Sequence, residues 1–185
     1  MPRPTDKEDL EKQGREMKKV LRLFLYDAKF VEMSEKEKAR LEKLLGPKVL
    51  ITHIGSTAVP GLGGKGIIDI VVGVPKQSDL HIVANELAQN GYFFDLDNEN
   101  PEDRIFLASR EHNSTLGDYH IHVVVKNGDE WNQLIFFRDS LRNNEKLRNE
   151  YIDLKEKLFT TTGADREKYK KQKSDFIEKA VKGDR

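Results

Sequence analysis

The chain has 185 residues, with 32 Lys plus Arg against 32 Asp plus Glu, so no global basic field draws it to nucleic acid or an anionic membrane. Hydrophobic residues make up 37% and charged residues 35%, which suits a single domain with a modest core and a charged helical exterior. The absence of cysteine excludes disulfides and thiolate metal sites; with no apolar signal core in MPRPTDKEDLEKQG and no run near the roughly 20 apolar residues of a membrane span, a soluble cytoplasmic protein is expected.

Thr5-Asp6-Lys7-Glu8 reads as a capping box opening a long charged helix from about residue 6 to about residue 30. Ser34-Glu35-Lys36-Glu37 reads as a second box, starting a helix through Leu41, Leu44 and Leu45 that stops at Gly46-Pro47. Apolar strands follow at about 49–54 and 67–74, joined by a loop rich in Gly and Pro. Ser78-Asp79 starts a helix to about Gln89, closed by Asn90-Gly91. Tyr92 to Asp95, RIFLAS (104–109) and YHIHVVV (119–125) read as strands, separated by the polar segments DLDNENPED and EHNSTLGD. After Asn127-Gly128 the chain is helical in three segments, the last two parted by Gly163. The expected fold class is α/β (α+β) over 1–185: helices over about 1–47, a mixed sheet core over 48–127 and a helical C-terminal part over 128–185.

The most informative stretch is His53 to Val72, HIGSTAVPGLGGKGIIDIVV. Its glycine-dense loop lets backbone N–H groups approach phosphate oxygens, and Lys65 adds a point charge, although GLGGKG is not a P-loop. Asp69 lies inside a strand that is apolar on both sides, where a carboxylate needs a partner. His120 and His122 alternate onto one face of the 119–125 strand. If that strand neighbours 67–74, two imidazoles and Asp69 make a candidate set for a divalent metal (Mg, Mn or Zn), for phosphate binding, or for acid–base work near neutral pH. His53 is read as a brace for the Gly-Ser turn.

Arg104 and Arg138 are candidates to fork onto a phosphate, with a structural pair to Asp139 as the competing reading for Arg138. Tyr151 and Lys155, four apart, share a helix face: Tyr151 could stack on a base while Lys155 meets a phosphate, or Tyr151 could pack while Lys155 is solvated. The Trp131, Leu134, Ile135 and Phe136 cluster is expected in the core.

Gly55-Ser56 with Asp69 on the next strand resembles the signature of the nucleotidyltransferase superfamily, in which paired carboxylates hold two divalent ions. The position two after Asp69, on the same strand face, is Val71, so the usual second carboxylate is missing. A closer resemblance is to the GrpB family. It runs through His53-Ile54-Gly55-Ser56-Thr57-Ala58-Val59-Pro60-Gly61-Leu62, Lys65, Ile68-Asp69-Ile70, His120-Ile121-His122, Trp131, Phe137-Arg138-Asp139, Leu141-Arg142, Tyr151, Leu154-Lys155, Tyr169, Lys173 and Phe176-Ile177. Gly66 stands where that family often has proline, a change expected to loosen the loop.

The resemblance implies a nucleotidyltransferase-like fold. Domains of this family fused to dephospho-coenzyme A kinases hint at a link to coenzyme A or adenine nucleotides. On this reading Gly55, Ser56, Thr57, Lys65, Arg138, Tyr151 and Lys155 contact a nucleotide or other phosphate-bearing ligand, and Asp69, His120 and His122 act as catalytic or metal-binding groups. Three functions are expected to compete: nucleotidyl transfer, a non-catalytic nucleotide- or coenzyme A-related accessory module, and a metal-assisted hydrolase built on Asp69, His120 and His122.

Overall fold

The computed structural model describes residues 25–94, 102–109, 118–162 and 166–183. In chain order these form α1 (Lys29–Leu45), β1 (Leu50–Ile54), a 3-10 turn (Ser56–Ala58), β2 (Ile68–Val74), α2 (Leu80–Gln89), β3 (Tyr92–Phe94), β4 (Arg104–Ser109), β5 (Tyr119–Val125), α3 (Asp129–Asn143), α4 (Glu145–Thr162) and α5 (Arg166–Lys182). The sheet order is β1-β2-β5-β4-β3. β2 and β5 pair in parallel at its centre, and the other three pairings are antiparallel. A parallel pair needs a long crossover, which here is α2 with β3 and β4.

Strand alternation gives the sheet two unlike faces. Ile68, Ile70, Val72, Ile121, Val123, Ile105 and Leu107 form the larger core with α1 and α2. α1 supplies Phe30, Ser34, Glu37 and Leu41, spaced on one helical face, and α2 supplies Leu80, Ala84 and Leu87. The opposite face carries Ile54, Val71 and Val124 against Trp131 of α3. Val59 and Leu62 of the glycine loop pack on Leu141 of α3 and Tyr151 of α4. Gly73 lets α3 sit down on the sheet: a Cβ there would stand 2.6 Å from the Trp131 ring.

The expected helix start at Ser34 is corrected. α1 runs unbroken from Lys29, and the Ser34 hydroxyl donates to the Val31 carbonyl at 2.8 Å from inside the helix, where it is buried. The stop at Gly46 holds, with φ 75 and its N–H donating to the Glu42 carbonyl. Most of the charged helix expected from residue 6 lies outside the described residues, as do Gly163 and most of the two polar segments flanking β4. Phe136 is not core but 45% exposed, whereas Trp131 is buried as expected. No helix among the described residues is long and apolar enough to cross a membrane.

The buried carboxylate of Glu37 ties α1 to the sheet edge. It accepts from the Tyr92 hydroxyl and from Arg40 Nε at 2.9 Å, while the Arg40 guanidinium lies 5.3 Å from the Tyr92 ring centre. Burial and the Glu37 charge push the Tyr92 phenol above its usual range. Tyr92→Phe removes a buried donor while leaving the acceptor, so a loss of about 1–3 kcal/mol in urea denaturation is expected. An unchanged midpoint would show that Arg40 alone satisfies Glu37.

Candidate functional site

The site grows from the register of the central strands. Asp69 of β2 pairs with His120 of β5, and Phe106 of β4 pairs with His122. The period of two then brings Asp69, His120, His122 and Phe106 to the α3 side of the sheet. His120 Nδ1 lies 3.3 Å and His122 Nε2 3.8 Å from the same oxygen, Asp69 Oδ1. Phe106 stands edge-on to both imidazoles, with centroids 4.9 and 5.0 Å away. Burial pushes the Asp69 carboxyl up, but hydrogen bonding and charge from the two histidines outweigh it and hold the group ionised, well below the usual range. Burial likewise pushes the His122 imidazole down against the pull of Asp69, so that ring is neutral near pH 7.

Gly55 closes the other side of the carboxylate. Its φ is 72, and a Cβ there would lie 2.3 Å from Asp69 Oδ2. The glycine is therefore required by the approach of Asp69 itself as well as by the turn.

The end of β1 and the loop from Gly55 to Ile67 are pinned from two helices. Arg138 of α3 donates to the His53 carbonyl at 3.1 Å and Arg142 to the Ala58 carbonyl at 2.9 and 2.7 Å; Lys155 of α4 donates to the Gly63 carbonyl. The Thr57 hydroxyl donates to the Ile67 carbonyl at 3.0 Å, across the base of the loop. With its proton committed there, it accepts from His53 Nε2 at 2.9 Å. His53 is thus the brace expected from the sequence. Burial takes its pKa down to about 4, with the charges of Arg142 and Arg138 adding to that and Asp69 opposing it.

Several expected ligand contacts have other roles in this arrangement. Thr57 is 1% exposed and turned into the brace, so it is corrected from a phosphate contact to a structural hydroxyl. Arg138 forks onto Asp139 at 2.8 and 3.0 Å and reaches Thr52 at 3.2 Å, which is the structural pairing weighed against a ligand role. Tyr151 is buried, stacked on Phe176 with centroids 5.2 Å apart, and cannot lie flat on a base in this packing. Lys155 is 5% exposed, with Nζ 5.1 Å from the Tyr151 ring centre. Burial, with Lys173 nearby, takes its pKa down to about 8. Lys65 is half-buried on the glycine loop and is not part of the cleft wall. Gly66 has φ 72, a value closed to proline, so a proline would not fit this loop as it is built here.

A cleft of about 670 Å³ opens beside these groups. Gly55, Ser56, Asp69 and His122 form its sheet end, Phe137 lies on its α3 wall, and Lys173 comes from α5. Arg104 and Glu130 pair at 2.9 Å and also line it. Sequence reasoning missed Phe106, Glu130 and the anchoring role of Arg142. Phe106 shares the alternation of Arg104, and that signal becomes readable only once β4 is registered against β5.

Metal fit is decided by the donor set. The position of a second carboxylate is held by Val71, fully buried against Ile54, Val124 and Trp131. The two imidazoles face Asp69 rather than a common empty point, and the far nitrogen of His122 lacks the hydrogen bond that usually orients a metal-ligating histidine. Among the described residues no group of three or more His, Cys, Asp or Glu is arranged to hold an ion. The expected metal set is thus brought together as an ionic cluster, and its residues do not fit a resident metal.

The architecture is a mixed five-stranded sheet layered with helices, with a cleft at the end of its central strands. The chain belongs to the GrpB family, whose model, described as GrpB protein, matches residues 20–183. It is 33% identical over 161 residues to the glutamate-rich protein GrpB of Alkalihalophilus pseudofirmus, covering 86% of this chain and 92% of that one. A UPF0157 protein of Streptomyces coelicolor is 33% identical over 152 residues, 82% of this chain and 77% of that one. The crystal structure of the conserved protein GrpB from Enterococcus faecalis superposes with a TM-score of 0.71 at 27% identity, over 88% of this chain and 98% of that one. The Cid1 poly(U) polymerase superposes only at TM-score 0.48 and 13% identity, over 82% of this chain and 50% of that one, too distant to assign an activity.

Proposed function

We propose that the cleft binds a nucleotide or another phosphate-bearing small molecule, with its phosphate at the Gly55–Ser56 turn and Lys173. The observation that carries this reading is that a glycine turn, a hydroxyl and an ammonium group open on the same cleft of about 670 Å³ as Asp69 and His122. That volume falls within the usual range for small-molecule sites, and the apolar wall that includes Phe137 suits the less polar part of such a ligand. Of the two uses of this cleft, nucleotidyl transfer and binding alone, the burial of Val71 favours binding, since the core leaves no room for a second metal-holding carboxylate. The Asp69–histidine cluster keeps acid–base chemistry on the bound molecule within reach.

A thermal-shift screen tests the proposal. The purified protein is scanned with nucleotides, coenzyme A and its precursors, with and without Mg²⁺, Mn²⁺ or Zn²⁺. A ligand present at 100 times its dissociation constant adds about 2.7 kcal/mol. The expected result is a phosphate-bearing ligand that stabilises without metal and loses its effect in Ser56→Ala combined with Lys173→Met. Stabilisation that requires Mg²⁺ or Mn²⁺ and vanishes in Asp69→Ala would restore the transferase reading. Tight binding of Zn²⁺ alone would favour the hydrolase. No response to any phosphate-bearing compound would sink the proposal.

A further inference from the structure

Lys173, Ile177 and Val181 of α5 all line the cleft. Their spacing of four and four puts them in one stripe along a single face of the helix. The stripe changes character along its length: an ammonium group at one end, then two aliphatic side chains. At about 1.5 Å of rise per residue, Ile177 lies about 6 Å and Val181 about 12 Å beyond Lys173 along the axis. Both aliphatic residues are half-buried, yet among the described residues neither packs into any of the three apolar clusters. They face the cleft, which α3 lines with Leu134 and Phe137. Phe137 is engaged elsewhere, meeting Tyr151 edge to face with centroids 5.4 Å apart, and Tyr151 in turn stacks on Phe176. The charged end of the stripe lies by the glycine loop. Lys173 is near enough to Lys155 for their positive charges to repel, and a Cβ on Gly64 would stand 3.9 Å from Lys155 Nζ and 3.5 Å from Ser56 Oγ. Lys155 stays on the Gly63 carbonyl and adds charge to this end rather than a contact.

We propose that the phosphate-bearing molecule bound here carries an unbranched alkyl or acyl chain, which runs from the phosphate at Lys173 over Ile177 to Val181. This rests on the reading of the cleft as a phosphate site and narrows it from nucleotides to alkyl- or acyl-bearing phosphates. A nucleobase gains most from stacking on an aromatic face, whereas the two rings on this cleft are packed on each other. A flexible chain instead gains from every methylene it buries against aliphatic walls, and Leu134, Ile177 and Val181 supply such walls from both helices. Soluble metabolites and membrane lipids both offer a phosphate ester with an alkyl tail, and the two sources separate experimentally.

The test is an NMR titration of the full chain with n-alkyl phosphates from ethyl to octyl, each kept below its micelle concentration. Affinity is expected to rise about twofold to fourfold with each added methylene. Ile177→Asp should remove that gain along the whole chain. Val181→Asp should remove it only for the outer methylenes and leave the short phosphates unaltered. Val181→Phe, which keeps the helix face apolar, should weaken octyl phosphate alone. Affinity independent of chain length overturns the chain and leaves the phosphate cleft standing; so does adenosine triphosphate binding at least as tightly as octyl phosphate. Binding of no phosphate at all, adenosine triphosphate included, overturns the cleft and the chain together. Sedimentation with vesicles containing phosphatidic acid, lost in Ile177→Asp, upholds the proposal with a lipid as the source. Chain-dependent binding of the soluble phosphates without sedimentation upholds it with a soluble source.

Discussion

Gly55→Ala is expected to cost about 2–5 kcal/mol of unfolding free energy. Two costs combine. The backbone at φ 72, ψ −170 belongs to a region open essentially to glycine alone, and forcing another residue there costs of order 1–3 kcal/mol. The new Cβ also collides with the Asp69 carboxylate, 2.3 Å from Oδ2, at a place where the carboxylate is held by two histidines. Gly61→Ala separates the two. Its φ is 78, yet nothing lies within 4 Å of the added carbon, so it should show backbone strain alone, about 1–2 kcal/mol. Urea denaturation of both variants, compared with the unaltered protein, reads the difference. Equal losses would mean that Asp69 moves aside without cost, and the site would then be softer than its packing implies.

Acid should weaken the fold from about pH 6.5 downward. His53 is a half-buried neutral donor with a pKa of about 4 against 6.5 unperturbed, so between those values the unfolded chain binds a proton that the folded one refuses. Stability therefore rises with pH through this window: the His53 contribution is complete above about 6.5 and falls away as the pH drops toward 4. At pH 5 the deficit is roughly 2 kcal/mol, from about 1.4 kcal/mol per pH unit. His122, also pushed down by burial, adds a loss of the same sign. Below about pH 4 the depressed pKa of Asp69 takes over, again favouring unfolding as acid is added. His53→Gln places an amide donor near the position of Nε2 and removes the titration, so its stability profile should be flatter between pH 4 and 6.5. An unaltered slope in that variant would assign the acid sensitivity elsewhere.

Strand positions were readable because their alternation and turn residues agree. The runs at 68–74 and 119–125 are apolar, and Gly46, Asn90-Gly91 and Asn127-Gly128 punctuate them with backbone conformations those residues favour. The capping signal at Ser34 misled because a serine hydroxyl, which accepts from an N–H at a helix start, can instead donate to a carbonyl one turn back inside a helix. Asp69, His120 and His122 were readable as one cluster, since a parallel pairing of their strands puts all three on one face. The Asp139 pairing of Arg138 and the packing of Tyr151 were among the readings open from sequence, but the loop contacts of Arg138 and Lys155 were not. Arg138 reaches the His53 carbonyl and Lys155 the Gly63 carbonyl, far along the chain, and spacing within one helix carries no record of which loop the helix meets. The wall of the cleft contributed by α5 was hidden for the same reason.

The parallel pairing of β2 with β5 also bears on how the molecule reaches its native state. β1 and β2 lie close in sequence and can zip locally, but Asp69 meets His120 only after about fifty intervening residues have been looped out. Closing such a loop precedes the reward of the contacts it makes, which puts this pairing among the slow, high-contact-order events of folding. An early hairpin of β1 and β2 would hold Asp69 with neither imidazole beside it. The polar centre is therefore absent from any intermediate in which β5 has not docked on β2, and the two histidines serve as built-in reporters of that docking: pulsed labelling of their ring nitrogens during refolding would time that step.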